Sequence, residues 1–173
     1  MGLKSDIVAI LQNTPRTERR VDAGDWTPAA NWNIFSITGG PVRVTGLFGH
    51  VTALFTGTAT PLIQFAPSNV LPLVWNPLCV IAVAAAYPLN SFLVWDGSLT
   101  AVSGVLRASA QVGHNQATDS VGTAATADSW SGPIDLMTGF IRINNAVADA
   151  TGAVDWYCTW IPLTPQSQLV VVP

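Results

Sequence analysis

The apolar positions of this chain follow two rhythms. In the first eleven residues Leu3, Ile7, Ile10 and Leu11 fall at i, i+4, i+7 and i+8, one stripe of a helix, with Ser5 placed to cap it. Such a helix runs about two turns and needs a surface to dock on. The next stretch, "NTPRTERRVDAGDW", has no apolar period. Pro15 and Gly24 punctuate it, and Arg16, Arg19 and Arg20 are three of the seven basic residues in the chain. It reads as an extended polar arm, either a solvated tail or a segment that docks on a neighbouring subunit or an acidic surface.

From Trp32 onward the rhythm is that of short strands. "WNIFSIT" leads into Gly39-Gly40-Pro41, a turn signal. "VRVTGLFGHVTALFTG" carries Val42, Val44, Leu47 and Val51, and its alternation slips at Gly46 and Gly49 as in a bulged or bent strand. "TPLIQF" and "VLPLVW" are marked by proline, which predicts edge strands. "LCVIAVAAAY" is a continuous apolar run suited to a strand buried on both faces, and Asp96-Gly97 lies between two strand-like runs as a hairpin dipeptide. Residues 113–129 are small, polar and aperiodic, an exposed loop. "SWSGPIDLMTGFIRINN" predicts two strands around Gly139. In "GAVDWYCTWIPLTP" Trp156, Cys158 and Trp160 point one way and Tyr157, Thr159 and Ile161 the other, with Pro162 and Pro165 closing the strand. About eight or more short strands, with a turn signal roughly every ten residues, predict an all-β fold. The expected architecture is an antiparallel β-sandwich, jelly-roll-like, over residues 26–173, after an N-terminal arm with a short helix over residues 1–25.

Charge sharpens this picture. Only 10% of the 173 residues are charged and 49% are hydrophobic, against about 25% charged in an average soluble domain. Between Arg43 and Asp96 there is no Lys, Arg, Asp or Glu. A section so bare of charge is expected to meet other protein, which makes Phe48, Phe55, Trp75 and Trp95 candidates for a subunit interface. A membrane span needs about 20 apolar residues, whereas Leu78 to Tyr87 is bounded by Pro77 and Pro88. Asp6 interrupts the first apolar run and no small-residue cleavage site follows, which argues against a secretory signal. With a net charge of −3 and only Arg43, Arg107 and Arg142 basic after residue 21, the chain is not built to bind nucleic acid.

No catalytic constellation emerges. Leu47 follows Gly46 where a phosphate loop needs lysine, and Gly46 and Gly49 give only GxxG between β-formers, so the glycines of this stretch read as turn and bulge positions. No GxSxG elbow accompanies His50 or His114, and Ser103-Gly104 does not make one. His114 with Asp119 and Asp128 has spacing that suggests a solvated loop rather than a metal site. Glu18 is the single glutamate, so the paired carboxylates of a glycosidase are missing. Cys79 and Cys158 lie far apart in apolar contexts and read as buried thiols; no CxxC is present. No cofactor and no metal are expected. The seven tryptophans are Trp26, Trp32, Trp75, Trp95, Trp130, Trp156 and Trp160. They suit core and interface packing, or, on an exposed sheet, the stacking of sugars.

"NIFSITGGPVRVTGLFGHVT", followed far downstream by "GAVDWYCTWIPL", resembles a family of small virion structural proteins of tailed bacteriophages. The first motif is matched by Phe35, Ile37, Thr38, Gly39, Gly40, Pro41, Val42, Val44, Leu47, Gly49, Val51 and Thr52. The second is matched by Gly152, Val154, Trp156, Trp160, Pro162 and Leu163. The resemblance implies a β-sandwich virion component that oligomerises. Taken with the charge map, the expectation is a non-enzymatic capsid decoration, or cement, protein, a homotrimer seated on the major capsid protein at the capsid surface. Leu3, Ile7, Ile10, Leu11, Arg16, Arg19 and Arg20 would make the capsid contacts of the arm. A tail or fibre component of the same virion is one alternative. A carbohydrate-binding β-sandwich module using surface tryptophans is another.

Overall fold

The computed structural model describes residues 14–22, 26, 31–55, 61–81, 89–90, 92–95, 105–109, 133–145 and 151–173. The helix expected over residues 3–11, with Leu3, Ile7, Ile10 and Leu11, lies outside them, as does the polar loop of residues 113–129. The described residues form eleven strands and no helix. These are β1 (Arg16–Arg20), β2 (Asn31–Thr38), β3 (Val42–Ala53), β4 (Pro61–Pro67), β5 (Asn76–Ile81), β6 (Phe92–Trp95), β7 (Val105–Ser109), β8 (Ile134–Leu136), β9 (Gly139–Asn145), β10 (Ala153–Pro162) and β11 (Gln168–Val171).

The pairing is nested. β1 pairs with β10, β2 with β9, β3 with β6 and β4 with β5, all antiparallel. This is one long hairpin rolled on itself, the topology of a jelly roll. β10 against β3 completes one sheet, in the order β1-β10-β3-β6-β7, and β9 against β4 completes the other, in the order β5-β4-β9-β2-β11. β8 adds to the rim of β3. A short parallel contact, Val80 with Val105 and Ile81 with Leu106, joins the two sheets at one side. At the other side the buried Arg20 donates from Nε to the Val172 carbonyl at 2.9 Å. The fold is thus the all-β antiparallel sandwich expected from the strand rhythm.

The core lies between the sheets. β10 buries Val154, Trp156, Cys158 and Trp160, β3 buries Val42, Val44, Leu47 and Val51, and β9 buries Ile141 and Ile143. The expected facing of β10 is the observed one, since Tyr157, Thr159 and Ile161 are only half-buried. Trp26 and Phe55 plug one end with edge-to-face rings 4.9 Å apart, and Trp32 meets Trp26 at 5.2 Å.

Several expectations are corrected. The stretch from Arg16 is no arm. It is β1, in register with β10 from Arg16 opposite Trp160 to Arg20 opposite Trp156, so the sandwich begins before residue 26. β4 is a central strand, not an edge; Pro61 opens it and Pro67 closes it, so neither removes a ladder bond from its middle. Val70–Trp75 is the connection between β4 and β5 rather than a strand. β6 and β7 pair from Trp95 opposite Leu106, and the Asp96-Gly97 dipeptide lies outside the described residues. The Gly39-Gly40-Pro41 turn is present, with Gly39 at φ 71°. The bulge predicted in β3 falls beside Gly46: Thr159 faces Gly46 and Trp160 faces Val44, leaving Thr45 as the extra residue. Gly49 has another reason. It faces Trp156, and a Cβ there would stand 3.1 Å from the indole.

Candidate functional site

The two sheets divide the charge unequally. In the first, Arg16, Glu18, Arg19, Arg20, Arg43, Arg107 and Asp155 sit on strands, with Asp135 on the adjoining β8. In the second, Arg142 is the single charged residue of β2, β4, β5, β9 and β11.

The charges of the first sheet are largely consumed in holding it together. Arg19 donates from Nη2 to Asp155 Oδ2 at 2.7 Å, and the Asp22 backbone N–H donates to Asp155 Oδ1 at 3.1 Å. The Asp22 carboxylate in turn accepts the Val154 N–H at 2.7 Å. This reciprocal clamp fastens the end of β1 to β10. The hydrogen bond to Asp155 raises the Arg19 guanidinium above its ordinary range. Arg43 and Asp135 form a two-pronged pair at 2.7 and 2.9 Å that fastens β8 to β3. The hydrogen bond from Arg43 holds the Asp135 carboxyl below its ordinary range. Arg16 lies over the Trp160 ring at 5.2 Å. Of the three arginines expected to reach a capsid, then, Arg20 is buried, Arg19 is tied to Asp155, and Arg16 is seated on an indole.

The outer face of the first sheet carries an aromatic row. Phe48 stacks on Tyr157 at 4.8 Å with planes 7° apart, Phe92 is 6.3 Å from Phe48, and His50 stacks on Phe92 at 5.0 Å. Phe48, expected at an interface, is half-buried on this outer face. Phe55 is not: it is fully buried against Trp26 and is unavailable to a partner. The backbone of Trp95 lies on β6, opposite Leu106.

The outer face of the second sheet is almost uncharged and mixes amides with Leu62, Phe140 and the exposed Val170. Along β9, Phe140, Arg142 and Asn144 alternate outward with buried Gly139, Ile141, Ile143 and Asn145. The register sets Asn33 and Gln64 on either side of Arg142, and Asn31 and Leu62 on either side of Asn144. Arg142 Nε donates to Gln64 Oε1 at 2.8 Å, and the guanidinium carbon lies 3.7 Å from the centre of the Trp75 ring. Partial burial pulls this guanidinium below the ordinary arginine range, and no carboxylate among the described residues pairs with it. Trp75, expected at an interface, is thus a half-buried platform beside a lone cation.

One end of the roll is apolar. The β4–β5 connection exposes Val70, Leu71 (84% exposed) and Val74, Met137 is exposed between β8 and β9 and Leu163 just after β10, while Val21, Leu54, Leu89 and Val170 are exposed elsewhere. That end is knitted by Ser68 N–H to the Thr138 carbonyl at 2.9 Å and Leu163 N–H to the Pro41 carbonyl at 3.1 Å. Arg16 faces Trp160 near the close of β10, so β1 begins at this end.

Little reactive chemistry is assembled among the described residues. Among the described residues no three His, Cys, Asp or Glu side chains could hold a metal ion. His50 faces Asp155 in the register, but that carboxylate already serves Arg19 and Asp22. Cys158 is fully buried, and burial pushes its thiol well up. His114, Asp119, Asp128 and Ser103 lie outside the described residues. Trp26, Trp156 and Trp160 belong to the core and Trp32 packs against it, while Trp75 is half-buried beside Arg142. The chain matches no protein-family model, no curated protein and no solved structure.

Proposed function

We propose that the protein is a non-enzymatic structural subunit of a tailed-phage virion: a capsid decoration, or cement, protein that assembles as a homotrimer and binds the major capsid shell. The observation that carries this reading is the apolar end formed by Val70, Leu71, Val74, Met137 and Leu163. Large exposed apolar groups gathered at one end of a small domain mark a surface that another protein covers. β1 begins at that end, at Arg16 opposite Trp160, and in sequence it follows the apolar stripe of Leu3, Ile7, Ile10 and Leu11, the segment this reading assigns to the shell. The resemblance to virion proteins supports the same reading, and its residues form the β2–β3 turn and β10, the frame that sets this end. A subunit that binds only the mature shell stabilises that shell by mass action. The aromatic row around Phe48 is the face through which copies would meet.

The test is occupancy. Chains lacking residues 1–13, or carrying Leu71→Asp with Val74→Asp, should keep the parent melting temperature and lose their place on purified particles, as counted by electron microscopy. Full occupancy by both variants overturns the proposal. Density at the tail instead of the head selects the tail reading. Native mass of the free protein decides the trimer.

A further inference from the structure

The second sheet places a single cation where no carboxylate among the described residues neutralises it. β2, β4, β5, β9 and β11 contain Arg142 and no other charged residue. Arg19 and Arg43, on the first sheet, each hold a carboxylate. Arg142 is different. Its Nε is fixed by Gln64 and its plane lies on Trp75, so the guanidinium is held rigid at low entropic cost while Nη1 and Nη2 keep no partner among the described residues. Around it stand amides. Asn31, Asn33, Gln64 and Asn144 occupy adjoining cross-strand positions, within reach of one another across a pleated face. Asparagine is depleted in strands. Three of them clustered about an unpaired arginine break a local rule where no packing gain is visible, which is the signature of a site.

We propose that this face binds a carboxylate-bearing sugar of an acidic polysaccharide. The Arg142 fork would take the carboxylate in two hydrogen bonds. The amides, which donate and accept, suit the hydroxyls of a sugar ring, and the indole of Trp75 supplies an apolar edge for the ring's C–H face. A protein partner is the less fitting occupant, because among the described residues Val170 is the one large exposed hydrophobic on the strands of this sheet, while Val70, Leu71 and Val74 are exposed together in the β4–β5 connection. This inference is independent of the virion reading.

The experiment is affinity electrophoresis and calorimetry of the full chain with polygalacturonate, with neutral dextran and with poly-L-glutamate. Polygalacturonate should retard the protein and dextran should not. Raising salt should weaken the binding, as expected of a guanidinium–carboxylate contact. Arg142→Gln should weaken binding at least tenfold, and Arg142→Lys, which keeps the charge but loses the fork, should weaken it too; Trp75→Ala and Asn144→Ala should each weaken it with melting unchanged. The proposal is overturned by no retardation with polygalacturonate, by equal retardation with poly-L-glutamate, or by undiminished binding in Trp75→Ala and Arg142→Gln. A native mass that falls in Arg142→Gln while polygalacturonate binding persists would assign the face to self-association and overturn it as well.

Discussion

Gly49 is the position where the packing of the two longest strands is most sharply testable. It faces Trp156 across the β3–β10 ladder. A Cβ at Gly49 would stand 2.5 Å from Val154 Cγ1 and 3.1 and 3.2 Å from two carbons of the Trp156 ring. Carbon atoms in contact prefer about 3.5–4.0 Å, so the new methyl overlaps its neighbours by roughly an ångström at the worst contact. Neither neighbour has room to yield, since Val154 and Trp156 are both fully buried. Overpacking of this kind costs about 1–3 kcal/mol. Replacing glycine in a strand returns roughly 0.5–1 kcal/mol by stiffening the unfolded chain. Gly49→Ala should therefore destabilise by about 1–2 kcal/mol, or a drop in Tm of roughly 2–4 °C per kcal/mol for a chain of this size. Urea unfolding followed by the emission of the buried tryptophans reads the change directly. Val154→Ala removes the carbon at 2.5 Å, so the double variant should recover part of the loss, a favourable coupling of about 0.5–3 kcal/mol. A Gly49→Ala protein as stable as the parent, or strict additivity in the double variant, would refute the reasoning.

Other outcomes follow from single residues. Phe55→Ala empties a fully buried site against Trp26 and should cost about 3–5 kcal/mol, whereas Phe48→Ala, half-buried and stacked on Tyr157, should lose about 1 kcal/mol of ring contact and lower the native mass of any oligomer. Asp135 has a folded-state pKa held down by Arg43; its contribution is present above the unfolded value of about 3.9 and is lost as pH falls through the folded value. The acid limb of a stability–pH curve should therefore flatten in Asp135→Asn. In a Cys79→Ser background Cys158, buried with its thiol pushed up, should react with a maleimide only as fast as the whole domain unfolds.

The fold class was legible because its signals are local. Alternation in "AVDWYCTWIP" decides which rings of β10 face inward, and Gly39-Gly40-Pro41 marks the turn before β3 by backbone chemistry alone. What misled was proline. In "TPLIQF" it reads as an edge, yet Pro61 stands at the first position of a central strand, where the missing N–H removes nothing from its middle. In "VLPLVW" the apolar residues are real but uncovered, and nothing local distinguishes an exposed apolar connection from a strand. The site on the second sheet was hidden for a related reason. Asn33, Gln64, Trp75 and Arg142 are spread over more than a hundred positions, and only the pairing of β2 and β4 with β9 brings three of them into one row. The single signal available was the solitary charge of "GFIRINN" in an otherwise neutral set of strands.

The arginines of "RTERR" illustrate why a polar stretch at the end of a chain cannot be read as a tail from composition. A free arm leaves its guanidinium groups in water. Here Arg20 sits buried with its Nε on the Val172 carbonyl, joining the rims of the two sheets, and Arg19 holds Asp155 beside the Asp22 clamp. Each contact loses its partner if the strand is removed. A truncation at residue 24 would strip β1 from β10, leaving Asp155 buried beside the core without its guanidinium and the ladder edge beside Trp156 and Trp160 open. Such a chain should aggregate, and its absence from particles would say nothing about docking. Truncation at residue 13 spares every one of these contacts. If the shorter deletion melts like the parent and only the longer one collapses, β1 is framework and the first thirteen residues are not needed for it. If the longer deletion melts like the parent, the clamp assigned to Asp22, Asp155 and Arg19 contributes nothing to the sandwich.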